Sequence, residues 1–190
     1  MRKELYQIQR ELCFNYKKLL DIKSKRAVFL IEENNTKYVL KIEPKHIGYL
    51  AEENTFLTEN NDLEAITKRV DNMITQTYYA LVKEYFPGEH PNTPMPTTTI
   101  KQLEKTIQEI HQRGYAGLDI AAKNIILSTD NQQAKIIDCD VYKRPTTHQD
   151  KIRLQEKDNK ELALIADANY LAQPISYLQP LQHQQRVERA

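Results

Sequence analysis

The chain has 190 residues and carries 27 Lys and Arg against 26 Asp and Glu, a formal net charge of +1. This length suits one globular domain, or one domain divided into two small lobes. The balanced charge argues against a nucleic-acid partner, because binding to a phosphate backbone needs clustered excess Lys and Arg. No apolar run approaches the roughly 20 residues of a membrane span. Two cysteines, Cys13 and Cys139, are too few for a disulfide framework, which favours a reducing compartment such as the cytoplasm.

The first half of the chain is predicted to form an antiparallel sheet with one helix. The spacing of Ile47, Leu50, Ala51 and Leu57 predicts a helix over residues 46–60. Five β-type runs flank it, at residues 18–22, 26–31, 37–42, 66–70 and 78–82. The turn residues EENNT join the second run to the third, so these two runs are expected to form a hairpin.

The stretch GEHPNTPMP is rich in proline and is expected to separate two lobes, an N-lobe of residues 1–88 and a reduced C-lobe of residues 89–190. Three elements are predicted in the C-lobe: a helix over 99–113, a hairpin of 125–127 with 134–137, and a helix near 160–172. The threonines at 97–99 are the N-cap candidates of the first helix, and Gly114 is its C-cap glycine. The predicted fold class is therefore α+β, with a two-lobed plan.

The segments GLDIAAKNIIL and AKIIDCD carry the strongest chemical signal. They place Asp119, then Asn124 in the same loop, and then Asp138 at the end of the next strand. Transfer of a phosphoryl group needs a carboxylate near the attacking hydroxyl and oxygen ligands that hold Mg²⁺ against the phosphates. An Asp and an Asn on one tight loop, facing an Asp from the following hairpin, meet that requirement.

On these residues the chain resembles the protein-kinase-like superfamily, whose catalytic loop runs D-x-x-x-x-N before a metal-binding Asp. The segment IHQRGYAGLD is similar to the approach to that loop, and KYVLKI places Lys41 where the family has its phosphate-pairing lysine. YALVKEYFPG looks like the strand and hinge that hold adenine, with Glu84 to Phe86 as the hinge. The resemblance covers residues 18–145 and implies a minimal two-lobed kinase fold, with a small N-lobe sheet and a reduced helical C-lobe.

The resemblance implies a role for each of these positions. Lys41 would bind the α- and β-phosphates of ATP, and a carboxylate of the predicted helix would hold Lys41. Glu53 is the better candidate for that carboxylate, because it shares the inward face of Leu50 and Leu57, whereas Glu52 points sideways. Glu84 and Phe86 would bind the nucleotide at the hinge.

Three further roles concern the transfer step. Asp119 would orient or deprotonate the acceptor hydroxyl, while Asn124 and Asp138 would ligate Mg²⁺, with Mn²⁺ as an alternative metal. Lys123 follows Asp119 by four residues and would neutralise charge on the transferring group, although a solvated surface charge is the competing interpretation. His111 and Cys139 are interpreted as structural residues, the first at a helix end and the second as a small buried side chain.

The chain departs from the family pattern at several positions. No glycine occurs before Gly48, so the Gly-rich phosphate loop is absent, and KSKRAV fills that region. Its basic residues Lys23, Lys25 and Arg26 are candidates for phosphate contacts, although a glycine-free turn approaches phosphates less closely. Gly117-Leu118 replaces the His-Arg of the catalytic loop, and this removes the usual receiver of a regulatory phosphate.

The expected function is that of an ATP-dependent phosphotransferase acting on a hydroxyl group, with a protein as the preferred acceptor. A binding module of the pseudokinase type, which has lost turnover, is one alternative. The run IIDCDVYKRP is also similar to bacterial lipopolysaccharide core kinases, which makes a glycan acceptor a second alternative. The small size resembles the minimal effector kinases that bacterial pathogens inject into host cells. That resemblance implies a host protein as substrate or activator, and secretion as an alternative to a cytoplasmic location.

Overall fold

The computed structural model describes residues 16–23, 26–92, 94–139 and 143–167. Within these residues the fold contains a five-stranded antiparallel sheet, a two-stranded hairpin and three α-helices. The strands are β1 (Tyr16–Lys23), β2 (Arg26–Glu33), β3 (Thr36–Pro44), β4 (Arg69–Ile74), β5 (Tyr78–Glu84), β6 (Ile125–Leu127) and β7 (Ala134–Ile136). The helices are α1 (Tyr49–Asn60), α2 (Thr97–Gln112) and α3 (His148–Ala166). The predicted α+β class is confirmed.

The five-stranded sheet has the order β1-β2-β3-β5-β4. The predicted hairpin of β2 and β3 is present, and both residues of its turn, Asn34 and Asn35, have positive φ angles of 51° and 64°. A two-residue turn with positive φ at both positions matches the twist of the strands it joins, and Asn tolerates that conformation well. Six alternate residues of β2, β3 and β5 form a small apolar cluster on one sheet face: Ala27, Phe29, Leu40, Ile42, Ala80 and Val82.

The opposite face of the same strands points toward α1 and carries polar side chains among the apolar ones. Because successive side chains of a strand point to opposite faces of the sheet, the Lys41 side chain lies on the face opposite to that of its buried neighbours Leu40 and Ile42. Lys41 pairs across the sheet with Leu81 of β5, and Lys83 lies two residues further along that strand on the same face. This face supplies one wall of the candidate site.

The strand predicted at 66–70 is wrong in position, because β4 begins only at Arg69. Ile66 instead forms a parallel bridge to Ile136 of β7, and Thr67 N–H donates to Ile136 O at 3.1 Å. The apolar run misled the prediction because Ile66 is fully buried against the hairpin and not within the sheet. This bridge links the chain after α1 to the hairpin that carries Asp138.

The ends of α2 show which sequence signals were reliable. Its N-cap is Pro96, so the threonines predicted as caps lie inside the first turn, where the buried Thr99 hydroxyl donates to Asn131 O at 2.9 Å. The C-terminal prediction is confirmed. Gly114 has a φ of 88°, its N–H donates to His111 O at 3.1 Å, and the Tyr115 N–H donates to Ile110 O at 3.2 Å. These two bonds form a Schellman cap.

The last helix starts earlier than the sequence pattern predicted. α3 begins at His148, where Thr147 accepts a hydrogen bond from Asp150 N–H, and it ends at Ala166. The predicted range of 160–172 is therefore wrong at both ends, and its last residues, 168–172, lie outside the described part of the chain. The polar composition of residues 148–159 concealed the helix, because its buried stripe includes Asp158 as well as Leu162 and Ile165.

The main apolar core is continuous across residue 88. It joins residues of α1, such as Phe56 and Leu57, to residues of α2, such as Leu103 and Ile107. Gly88 allows the connecting segment to pass close to β6, because a Cβ at this position would lie 1.8 Å from Leu127 O. None of the three helices in the described ranges is long and apolar enough to cross a membrane.

Candidate functional site

A cleft of about 580 Å³ lies between the five-stranded sheet and the β6–β7 hairpin. The residues predicted from the sequence that line this cleft are Arg26, Lys41, Glu84 to Phe86, Lys123, Asn124 and Asp138. Glu53 is fully buried behind Lys41, and Asp119 lies next to Asn124 in the adjoining loop. Residues that are far apart in the sequence are therefore brought to one cavity.

Lys41 bridges two carboxylates at the base of the cleft. Its Nζ atom donates to both Glu53 oxygens at 2.9 Å and to Asp138 Oδ1 at 2.8 Å. The predicted contact between Lys41 and Glu53 is present, and it forms because Leu50 and Leu57 anchor the same face of α1 in the core. The backbone of β3 thus positions a cation between α1 and the end of the hairpin.

The Lys41 ammonium and the two carboxylates that it bridges stabilise each other's charged forms. Burial acts to lower the pKa of Lys41, but Glu53 and Asp138 outweigh burial and hold that pKa above its usual range. Burial acts to raise the pKa of Asp138, but Lys41, Lys83 and Arg26 lower it to about 2. The pKa of Glu53 is likewise lowered, because Lys41 and Lys83 outweigh the effect of its burial. All three groups are charged at neutral pH.

Lys83 is a site residue that the sequence reasoning missed. Only 2 % of this residue is exposed, and its Nζ atom lies 2.6 Å from Glu53 Oε1 and 2.8 Å from Ile137 O. The signal was a lysine within the otherwise apolar run of β5, since a lysine is almost never fully buried unless it is paired. The Glu53 carboxylate therefore forms ion pairs with two lysines, Lys41 and Lys83.

Arg26 is the basic residue of the glycine-free segment that the structure places at the site. Its guanidinium lies 3.7 Å from Asp138 Oδ1 and 3.9 Å from Glu43 Oε2, and it stacks 5.8 Å from the ring centre of Tyr49. Arg26 therefore lines the cleft as a cation that is already close to two carboxylates of the chain. The other two candidates of that segment, the Lys23 side chain and Lys25, lie outside the described residues.

The loop that carries Asp119 is held by Asn124. Asn124 Nδ2 donates to Asp119 Oδ2 at 2.8 Å and to Asp119 O at 2.9 Å, within a 3₁₀ turn of Ala122–Asn124. Asp119 remains accessible, with 43 % of its side chain exposed. Lys123 Nζ lies 3.4 Å from Asp119 Oδ2, and 63 % of the Lys123 side chain is exposed. The arrangement presents the Asp119 carboxylate to solvent in a defined orientation.

The β6–β7 hairpin brings Asn124 and Asp138 together. Asn124 directly precedes β6, Asp138 follows β7 by two residues, and Ile137 N–H donates to Asn124 O at 2.9 Å. Because Asn124 uses its amide nitrogen on Asp119, its Oδ1 atom is the oxygen that it can offer to a metal. The two predicted metal ligands therefore belong to one small hydrogen-bonded unit.

Helix α3 contacts the loop that carries Asp119. These contacts were not predicted from the sequence. Three hydrogen bonds join α3 to this loop, and a further contact joins α3 to His111 of α2. The fully buried Asp158 accepts through Oδ2 from Gly117 N–H at 3.0 Å and lies 2.9 Å from His111 Nε2. Lys157 Nζ donates to Leu118 O at 2.9 Å, and Ile120 N–H donates to Glu161 Oε2 at 3.2 Å. The interpretation of His111 as a structural residue at a helix end agrees with these contacts.

The end of β5 forms another wall of the cleft. The Glu84 N–H donates to Lys68 O at 2.9 Å, and the Glu84 carboxylate accepts from Lys68 N–H and pairs with Lys135 at 3.1 Å. Lys135 also lies 5.8 Å from the ring centre of Phe86. The Glu84 side chain is thus committed to neighbouring protein groups, while Tyr85 and Phe86 continue this wall of the cleft.

Two side chains of the cleft, Asp138 and Asn124, carry oxygen atoms of the types that bind Mg²⁺. No group of three or more His, Cys, Asp or Glu side chains in the described ranges is arranged to hold a metal alone. Mg²⁺ commonly takes only one or two carboxylates from the protein and completes its coordination with phosphate oxygens and water. Asp138 and the Asn124 amide oxygen are ligands of that kind.

Burial raises the pKa of the adjacent Cys139 thiol to about 12, so this thiol remains protonated.

The chain was compared with protein-family models and with curated proteins. No family model matches the chain, and no curated protein matches it.

Proposed function

We propose that the protein is a minimal, two-lobed, protein-kinase-like phosphotransferase that moves the γ-phosphoryl group of ATP to a hydroxyl group of a protein. The observation that carries the proposal is the bridge from Lys41 to Glu53 and Asp138 at the base of the cleft. Phosphoryl transfer depends mainly on positioning and on charge stabilisation, and this bridge assembles the required charges from three separate segments.

Each wall of the cleft has a role in holding the nucleotide. The main chain of residues 84–86 binds the base, while Lys41 and Arg26 meet the phosphates. Lys41 is prepared for this because its ammonium is held at the cleft base by Glu53. Arg26 stands in for part of the missing glycine-rich loop, since a guanidinium binds phosphate through several N–H groups at once. Mg²⁺, or Mn²⁺ as an alternative, would be held by Asn124 and Asp138 and supplies charge neutralisation of the phosphates when bound.

The transfer step requires a base and a defined line of attack. The acceptor oxygen forms a bond to the γ-phosphorus while the bond from that phosphorus to the β–γ bridging oxygen breaks, and ADP leaves. Asp119 accepts the proton of the acceptor hydroxyl and later releases it to solvent, for which its partial exposure and its contact with Asn124 are suited. Lys123, 3.4 Å from Asp119, would neutralise negative charge on the transferring group.

The direct test is transfer of labelled γ-phosphate from ATP to a protein fraction and, in parallel, to a lipopolysaccharide fraction. We expect label on protein, and loss of that label with Asp119→Asn. Label on the glycan fraction alone would replace the protein acceptor with a sugar hydroxyl. No label on either fraction, together with unaltered ATP, would contradict the proposal.

A binding module without turnover is the second candidate, and two contacts of Asp138 favour it. Asp138 Oδ1 is already within 2.8 Å of Lys41 and 3.7 Å of Arg26, so cations of the chain itself neutralise the proposed metal ligand. In such a module the same charges would hold the two halves together and leave the surface free for a macromolecular partner. Absence of ATP binding, with retention of a stable partner, would select this candidate.

A further inference from the structure

The buried Lys83 is the strongest feature of the site to which the proposed mechanism gives no role. It lies on β5, on the sheet face that carries Lys41, and is 2 % exposed. Its ammonium contacts two groups from different parts of the chain, the Glu53 carboxylate at 2.6 Å and the Ile137 carbonyl at 2.8 Å. Lys83 therefore ties together β5, α1 and the end of the hairpin.

The contact with Glu53 matters because Lys41 has two tasks. In the nucleotide-free protein Lys41 contacts both Glu53 and Asp138, whereas in the proposed complex it exchanges Asp138 for the phosphates and shares its ammonium between them and Glu53. Glu53 is fully buried, and a buried carboxylate without a cation is strongly unfavourable. Lys83 keeps Glu53 paired in both states, so α1 does not need to move when Lys41 changes partner.

The contact with Ile137 matters because the next residue in the chain is Asp138, one of the two proposed metal ligands. The N–H of Ile137 donates to the carbonyl oxygen of the other ligand, Asn124, at 2.9 Å. Ile137 is therefore held at both of its main-chain polar groups: its carbonyl accepts from the Lys83 ammonium, and its N–H donates to Asn124. The backbone that connects the two proposed metal ligands is fixed on both sides, by Lys83 and by Asn124.

We infer that Lys83 is a positioning residue for the metal site, which acts by holding the Ile137 peptide and, through Glu53, helix α1. This inference rests on the proposed function. Because supporting contacts set the geometry of metal ligands, removal of such a contact commonly lowers metal affinity by about 10- to 100-fold. Replacement of Lys83 is therefore expected to change the dependence of nucleotide affinity on Mg²⁺ more than it changes the nucleotide affinity measured without Mg²⁺.

The test uses Lys83→Met, which keeps an unbranched side chain without the charge, and Lys18→Met as an exposed-lysine control on β1. The affinity of a non-hydrolysable ATP analogue is measured by calorimetry with chelator and over a series of Mg²⁺ concentrations. We expect wild type and Lys18→Met to bind more tightly with Mg²⁺. For Lys83→Met we expect an apparent Mg²⁺ affinity about 10- to 100-fold lower and little change with chelator. An unchanged Mg²⁺ dependence in Lys83→Met would overturn the inference.

Lys83→Met leaves an excess negative charge at Glu53, so a second pair of variants guards against a folding defect. Glu53→Gln alone retains the Lys83 contact with Ile137, and Glu53→Gln with Lys83→Met removes it while keeping the buried charges balanced. We expect the Mg²⁺-dependent gain to fall on going from the single to the double variant. Equal gains in these two variants would assign Lys83 only the structural task of pairing Glu53 and would overturn the inference.

Hydrogen exchange in the nucleotide-free protein separates this inference from the proposed function. The Ile137 amide is expected to exchange faster in Lys83→Met than in wild type or Lys18→Met, because the backbone that it links to Asn124 is no longer held. A wild type that shows no Mg²⁺-dependent binding would contradict the proposed function, and the exchange measurement would still test the positioning role. Equal exchange in all three proteins would overturn it.

Discussion

Asp158 and Gly117 are separated by 41 residues and are joined by a hydrogen bond of 3.0 Å from the Gly117 N–H to Asp158 Oδ2. The same oxygen lies 2.9 Å from His111 Nε2, and Asp158 is fully buried. This one carboxylate therefore connects α2, α3 and the start of the loop that carries Asp119. The role of α3 is thus to support the candidate site and not only to cover the core.

Asp158→Ala is expected to lower the free energy of unfolding by about 2 to 3 kcal/mol, because it removes the buried carboxylate group that contacts both Gly117 N–H and His111 Nε2. Urea unfolding measures this loss. Asp158→Asn is the matched control, since it retains one acceptor oxygen for Gly117 and is expected to lose less. Stability of Asp158→Ala equal to that of wild type would contradict the supporting role of α3.

Asp119→Asn is expected to lower the rate of phosphate transfer by about 10²- to 10⁴-fold, because the amide cannot accept the proton of the acceptor hydroxyl. The amide oxygen still accepts from Asn124 Nδ2, so the loop and the binding of nucleotide are expected to be retained. Rate and nucleotide affinity are measured on the same preparation. Lys123→Met is expected to cost less, since Lys123 is mostly exposed. Wild-type transfer by Asp119→Asn would remove Asp119 from the mechanism.

Tyr115→Phe is expected to lower the free energy of unfolding by about 1 kcal/mol through loss of one partly buried hydrogen bond. The Tyr115 hydroxyl donates to Glu59 Oε2 at 2.7 Å, and burial together with Glu59 raises the Tyr115 pKa to about 12, so the phenol remains a donor. Arg144 pairs with the same Glu59 and lies 4.7 Å from the Tyr115 ring centre. Urea unfolding checks the value, and an unchanged midpoint would show that this link between α1 and the segment after α2 adds no stability.

Asp62→Asn is a useful comparison for that link, because it breaks an exposed pair at the same end of α1. Arg113 contacts both Asp62 oxygens, at 2.7 and 2.6 Å, yet the Asp62 side chain is 68 % exposed. Exposed pairs of this kind contribute about 0 to 1 kcal/mol and weaken with salt. We expect a smaller effect than for Tyr115→Phe, and one that disappears at high ionic strength. A larger effect would place the main link at Asp62.

Stability is expected to fall in acid as Asp138 is protonated. Its pKa is lowered from 3.8 to about 2 in the folded protein, so the folded state gains from the ionised form above pH 3.8 and loses that gain as the pH falls toward 2. The contribution is on the order of 2 kcal/mol by the usual linkage conversion. Denaturant unfolding at a series of pH values measures it, and Asp138→Asn is expected to show a flatter dependence. Parallel curves for the two proteins would contradict this assignment.

Much of the sheet could be predicted because its signals are local. Alternation marked β2 and β3, and Gly114 marked the end of α2. The start of β4 and the extent of α3 could not be predicted, since Ile66 is buried by pairing with Ile136 and the inward face of α3 includes the acidic residue Asp158. Both depend on contacts between distant segments, which local patterns do not encode.

The candidate site also contains some residues that local sequence patterns indicate and others that depend on contacts between distant segments. Asp119, Asn124 and Asp138 could be predicted from their order and spacing, and Glu53 from the face of α1 that it shares with Leu57. Lys83 and the supporting contacts of α3 could not, because nothing local indicates which carboxylate a buried lysine meets. The roles of these residues in catalysis stay predictions.

The most direct test of the central claim is calorimetric titration with a non-hydrolysable ATP analogue, with and without Mg²⁺, on wild type and on Asp138→Asn. If the cleft is a nucleotide site with a built metal centre, wild type binds and Mg²⁺ strengthens the binding, while Asp138→Asn binds without that gain. Absence of binding by wild type under every condition would contradict the account. The charges around Lys41 would then serve only to hold the fold together.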